Sequence, residues 1–339
     1  MKRILCLLLI LCLSLSGCEK APEQKQFNAT FLTLFDTVTT VMGKAATEEE
    51  FKAKAQVVHD ELEKYHQLFD IYNDYDGINN LKTVNDQAGI APVTVDPVII
   101  RLLKDCKTYY EATDGIVNVA MGSVLVLWHE ARNHGFNDPV NAALPDNQAL
   151  EEAALHRDFS KVILDEAAST VYLEDPDMRL DVGAVAKGWA AQRVSEVAPE
   201  GLLISVGGNV CATGPKDTQG TAWVVGVQDP QGGDAYLHTL YLTKGSIVTS
   251  GDYQRAYMVD GKLYHHIIDP NTLYPGGLWR AVTVVCEDSG AADALSTALF
   301  LLPQAEGQKL LEKYGAEAMW VDSDNAITYS PGFRNLIRT

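Results

Sequence analysis

Cysteine is scarce and poorly placed for chemistry. The chain holds six, and three of them (Cys6, Cys12 and Cys18) fall in the first eighteen residues. The others, Cys106, Cys211 and Cys286, are far apart and odd in number. They match no metal-ligand spacing and allow at most one disulfide, so three buried thiols are expected. Basic residues are also few: 27 Lys and Arg face 45 Asp and Glu, a net charge of −18. A surface that negative repels phosphate backbones, which argues against a nucleic-acid partner. Any phosphorylated ligand must then be held locally, by a metal, a lysine or backbone amides. There is no GxGxxG and no P-loop, so the standard dinucleotide grips are absent. No internal repeat or low-complexity stretch occurs, and the apolar run Ile4 to Leu15 is too short to stay in a bilayer as a spanning helix.

That run does carry information. It follows Met1-Lys2-Arg3 and ends in Leu15-Ser16-Gly17-Cys18, a pattern that resembles the bacterial lipobox, in which the leader is cut before the cysteine and the thiol is lipidated. An ordinary signal peptide with an incidental cysteine is the alternative. The expectation is a leader over 1–17, a lipidated (palmitate-bearing) Cys18 with a polar tether over 18–28, and a catalytic domain over 29–339. The mature protein would sit on the extracytoplasmic side of the cell membrane. Losing Lys2 and Arg3 leaves 25 bases against 45 acids, a net charge of −20.

The remainder reads as α+β, with mixed sheets and helices in two interlocked lobes. Phe31 to Met42 reads as one strand, rich in Thr and Val. Thr47 and Glu50 form a capping box ahead of an apolar stripe at Phe51, Ala55, Val58, Leu62, Tyr65 and Phe69. Asp96 reads as the cap of a second helix. Asn133 to Asn147 lacks periodicity and reads as a loop or insertion. Short strands are expected at 170–173, 202–206, 222–227 and 281–285, with helices at 184–197 and 291–302.

Three segments carry the candidate chemistry. On the apolar run from Ala291 to Phe300, Asp293 and Thr297 lie four residues apart, so a helix places both oxygens on one face. They are hard donors suited to magnesium. The alternative is a helix cap at Asp293, with Thr297 bonding back to a carbonyl. In Asp181-Val182-Gly183-Ala184-Val185-Ala186-Lys187-Gly188, Gly183 permits a turn into a helix carrying Lys187, a point charge for a diphosphate; a solvated lysine is the alternative. In His265-His266-Ile267-Ile268-Asp269-Pro270, His266 is placed to take a proton from a hydroxyl, with Asp269 either orienting it or capping the next turn.

Together with Thr249-Ser250-Gly251-Asp252-Tyr253-Gln254-Arg255 and Ser205-Val206-Gly207-Gly208-Asn209, these segments resemble the ApbE family, the FAD:protein FMN transferases. The resemblance runs from about Phe31 to Leu302. It implies magnesium bound by Asp293, Thr297 and the Ala184 carbonyl, with help from Ser296. It implies FAD contacts at Phe35, Tyr72, Asn118, Asp181, Lys187, Arg255 and Ile267, with His266 and Asp293 as the catalytic pair. The chain departs from the family pattern in three places. Phe35-Asp36-Thr37 stands for Met-Gly-Thr, Val117, Asn118 and Ala120 alter Asp-Gly-x-Phe-Asp-x-Thr, and Leu273 replaces a glycine. The implied reaction moves FMN from FAD to a Ser or Thr hydroxyl of a membrane-associated redox subunit, as in the Nqr and Rnf complexes, and releases AMP. An FAD pyrophosphatase and a flavin-binding lipoprotein without chemistry are the rival readings.

Overall fold

The computed structural model describes residues 23–233, 235–253 and 255–338. The expected leader, Cys18 and the first part of the tether lie outside the described residues, as does Gln254. The main sheet is antiparallel throughout. Its order is β1 (Lys25–Phe31), β2 (Thr39–Ala45), β6 (Leu202–Val206), β7 (Asn209–Ala212), β10 (Gly245–Gly251), β13 (Ala281–Cys286), β14 (Glu317–Val321) and β15 (Ile327–Tyr329). Three small sheets accompany it: β3 (Val93–Thr94) with β5 (Thr170–Leu173) and β4 (Val162–Asp165), the hairpin β8 (Trp223–Gln228) and β9 (Tyr236–Leu242), and the hairpin β11 (Tyr257–Val259) and β12 (Lys262–Tyr264).

Two corrections concern the N-terminal region. The sheet begins at Lys25, inside the stretch assigned to the tether, because β1 pairs with β2 along its whole length and alternate residues from Phe27 turn partly inward. The single strand expected over 31–42 is two strands joined by a 3₁₀ turn at Leu34–Asp36. Phe35 and Asp36 both have positive φ, 54° and 50°. The β-branched residues around them masked a turn whose conformation glycine would normally favour.

Helix α1 (Glu48–Phe69) starts where the capping box predicts. Thr47 Oγ1 accepts from the Glu50 N–H at 3.2 Å, and Glu50 Oε2 accepts from the Ala46 N–H at 3.0 Å. Its predicted stripe is buried. The short α2 (Leu81–Asp86) follows, and Asp96 caps α3 (Pro97–Ala112) through the Val98 N–H at 2.9 Å. Helix α4 (Gly122–Asn137) runs into the segment read as a loop, and α5 begins at Asn147 (Asn147–Ala153). Gly135 permits this: a Cβ there would lie 2.7 Å from the Tyr257 ring.

Helices α6 (Ala186–Val197) and α7 (Ser289–Leu301) lie together on one face of the main sheet, α8 (Gln304–Tyr314) packs beside α7, and the β8–β9 hairpin covers the opposite face. The largest core is shared by α1, α3, α6, α7 and the sheet. Smaller cores lie under the β8–β9 hairpin and between α4 and the β11–β12 hairpin. The fold is α+β as expected. Gly188 sets the crossing of α6 and α7, because a Cβ there would fall 2.3 Å from the Ser289 carbonyl oxygen and 2.4 Å from Asp293 Cβ.

Candidate active site

A cavity of about 280 Å³ opens where the start of α6, the middle of α7, the face of α4 and the 34–37 turn converge. Every sequence-predicted site residue except Ser296 lines it. Ser296 is fully buried, and its hydroxyl is committed to the Asp293 carbonyl (2.9 Å) and to Ser250 Oγ on β10 (2.8 Å). Three residues beyond Asp293, it turns toward the sheet while Thr297, at four, turns toward the cavity.

The helix-cap reading of Asp293 is replaced by its burial. Asp288 caps α7, accepting from the Ala291 N–H at 2.8 Å, and Asp293 lies a full turn inside a helix buried nearly all round. Only 5% of Asp293 is exposed. Its Oδ2 accepts from the Gly188 N–H at 2.7 Å. That N–H would go to the Ala184 carbonyl in a regular helix, so the carbonyl keeps its lone pairs for another partner. Burial raises the Asp293 pKa above the usual carboxylate value, while the Lys187 charge and the Gly188 N–H pull it down. A carboxylate in this position needs a cation nearby. With the Thr297 hydroxyl and the Ala184 carbonyl on the same cavity, the donors are all hard oxygens, and magnesium fits them.

The Asp181 loop is fixed from three sides. Asn85 grips Leu180, its Oδ1 accepting from the Leu180 N–H (2.7 Å) and its Nδ2 donating to the Leu180 carbonyl (3.0 Å). The Gly122 N–H donates to the Arg179 carbonyl at 2.9 Å, a closeness that only glycine allows at 122. Asp181 donates its own N–H to Val119 and accepts from the Gly183 N–H at 2.8 Å. Lys187 follows one residue into α6.

The two adjacent histidines divide their roles. His265 is buried, with Nδ1 accepting from the Ile267 N–H and Nε2 at 2.8 Å from the Gly276 carbonyl, and burial lowers its pKa. It is structural. His266 lines the cavity beside Ile267. Asp269 caps the next turn by accepting from the Asn271 N–H at 2.8 Å. Asn118 lines the cavity too, but its Oδ1 accepts from the Ala120 N–H and its Nδ2 donates to the Arg157 carbonyl, each at 2.9 Å. Phe35 stands edge-on to His66, and Tyr72 is anchored by its N–H to Asp70 Oδ1 at 2.6 Å.

Sequence reasoning missed Asp70, His129 and Arg132, all of which line the cavity. Leu125, His129 and Arg132, with Met121 just ahead of the helix, recur at helical spacing on the cavity side of α4. That spacing is the signal that could have found His129 and Arg132. Neither Arg132 nor Arg255 has a carboxylate partner within 4.0 Å among the described residues.

The ApbE family's sequence model matches residues 35–320. A FAD:protein FMN transferase of Treponema pallidum is 36% identical over 277 residues, 76% of this chain and 75% of its own length. One from Klebsiella pneumoniae is 33% identical over 285 residues, 80% of this chain and 86% of its own. The crystal structure of the ApbE protein of Thermotoga maritima superposes with a TM-score of 0.78 at 28% identity, covering 94% of this chain and all of that one. The flavin transferase ApbE of Vibrio cholerae shares the fold, with a TM-score of 0.75 at 19% identity over 93% of this chain and all of that one.

Proposed function

This chain belongs to the ApbE family, and on that premise we propose that it transfers the FMN moiety of FAD to a Ser or Thr hydroxyl of a partner protein. The shared cavity of Asp293, Thr297, Ala184, Lys187 and His266 carries the reading, because it gathers oxygen donors, a cation and a proton acceptor from three distant segments.

Asp293, Thr297 and the Ala184 carbonyl would hold magnesium, which when bound supplies positive charge for the phosphoryl oxygens. Lys187 adds its ammonium to the same task. Phe35 and Tyr72 offer ring faces to the flavin, and Arg255 offers a guanidinium to a phosphate. His266 takes the proton of the acceptor hydroxyl as its oxygen bonds to the phosphorus on the FMN side. The bond from that phosphorus to the bridging oxygen breaks, and AMP departs with the oxygen. Phosphoester-linked FMN remains on the acceptor. Acceptors of the Nqr and Rnf type and a lipid anchor at Cys18 belong to this reading, the anchor holding the enzyme beside membrane-bound subunits.

Incubation with FAD, magnesium and an acceptor peptide separates the readings. FMN-peptide with AMP supports transfer, free FMN with AMP indicates a pyrophosphatase, and intact bound FAD indicates a carrier.

A further inference from the structure

His129 takes no part in the steps above, yet it joins two groups that do. Its ring lines the cavity from α4. Nδ1 lies 2.7 Å from the Tyr72 hydroxyl, and Nε2 lies 3.9 Å from Asp181 Oδ2. Burial lowers its pKa; Asp181 opposes this, and Arg132 and Arg255 add to it. The ring is therefore neutral near pH 7 and carries one proton. Tyr72, pushed up to about 12 chiefly by burial, keeps its own. A protonated phenol donates to Nδ1, which puts the imidazole hydrogen on Nε2, facing the Asp181 carboxylate.

The link matters because Tyr72 is 55% exposed, so packing alone does not hold its ring. Its backbone is tied to Asp70 and its hydroxyl to His129. Asp181 is tied on its other side to the Gly183 N–H. Three chain segments that are distant in sequence thus meet at one imidazole.

We propose that His129 is a positioning residue for the flavin, locking the Tyr72 ring as a ready-made stacking face and registering it against Asp181. The proposal rests on the flavin reading. A stacking face already ordered before binding costs less to use, so removal of the lock weakens FAD binding more than it slows the chemical step.

The test is a double-mutant cycle on the intact protein, with FAD affinity read from flavin fluorescence and turnover from AMP release. His129→Ala and Tyr72→Phe should each weaken FAD binding by roughly 5- to 20-fold, and the double variant by no more than the worse single, since both delete one contact. The loss should fall on KM for FAD rather than on kcat. His129→Gln, whose amide oxygen can accept from the tyrosine, should recover part of the affinity. Additive losses, undiminished binding in His129→Ala, or a fall in kcat at constant KM would overturn the proposal. Tyr72→Phe removes only the hydroxyl that His129 holds and tests the link even if His129→Ala fails to fold. A wild-type protein that binds no FAD would overturn the flavin reading itself, whereas wild-type binding with unaffected variants would sink only the role of His129.

Discussion

Asp293 is a carboxylate held where a carboxylate is costly. Burial raises its pKa, and the charge of Lys187 and the Gly188 N–H are among the groups that oppose the rise. Asp293→Asn keeps the shape and the Gly188 contact but removes the charge that a divalent cation needs. FMN transfer should fall by roughly 100-fold or more, since metal-site charge stabilisation is worth several kcal/mol. Thermal stability of the metal-free protein should hold or rise, because the desolvation cost is gone. AMP release and a melting curve on the same preparation check both halves. A stable variant at full activity would remove Asp293 from the site. That Asp293 and Thr297 turn to one side of their helix was readable from their spacing. Ser296 was not, because sequence gives the spacing of a hydroxyl but not the strand that satisfies it, here Ser250.

At the scale of elements, the site depends on how closely α6 approaches α7. Gly188 sits at the crossing, where an added methyl group would meet both the Ser289 carbonyl and Asp293. Gly188→Ala forces the helices apart and breaks the 2.7 Å bond to Asp293. Overpacking of this kind costs about 1–3 kcal/mol, so the urea midpoint should fall. Transfer activity should fall with it, since the separation carries the metal donors of α7 away from Lys187. An alanine variant of unchanged midpoint and activity would show that the contact is slack. Helices announced by a cap and an apolar stripe, α1 and α3, were readable in sequence, as were the strands flanking α6. The 34–37 turn was hidden because Phe35 and Asp36 adopt a conformation that their residue types rarely take. The end of α4 was hidden because Gly135 serves packing against Tyr257, which local sequence cannot display.

The whole molecule carries far more acid than base, but its buried and half-buried imidazoles set its response to mild acid. Burial lowers the pKa of His129, His238 and His265 in the folded chain. A histidine with a depressed folded pKa binds fewer protons folded than unfolded in the window between that value and the unfolded value of about 6.5. Stability therefore rises with pH through that window and falls as pH drops through it. Asp70 and Asp175 behave differently: although burial raises each, hydrogen bonds hold both below the usual carboxylate value. Their contribution is present above the unfolded value of about 4 and disappears only in stronger acid. Two stages of acid destabilisation should follow, the first beginning just below pH ~6.5 from the histidines and the second below about 4 from the aspartates. Urea titrations of the flavin-free protein at closely spaced pH values would resolve them. His265→Asn should blunt the first stage and leave the second. His265 holds the Gly276 carbonyl and the Ile267 N–H, so that variant should also start from a lower midpoint at neutral pH. An unchanged slope between pH 7 and 5 in the variant would mean that His265 is protonated to the same extent folded and unfolded, against the burial that the fold gives it.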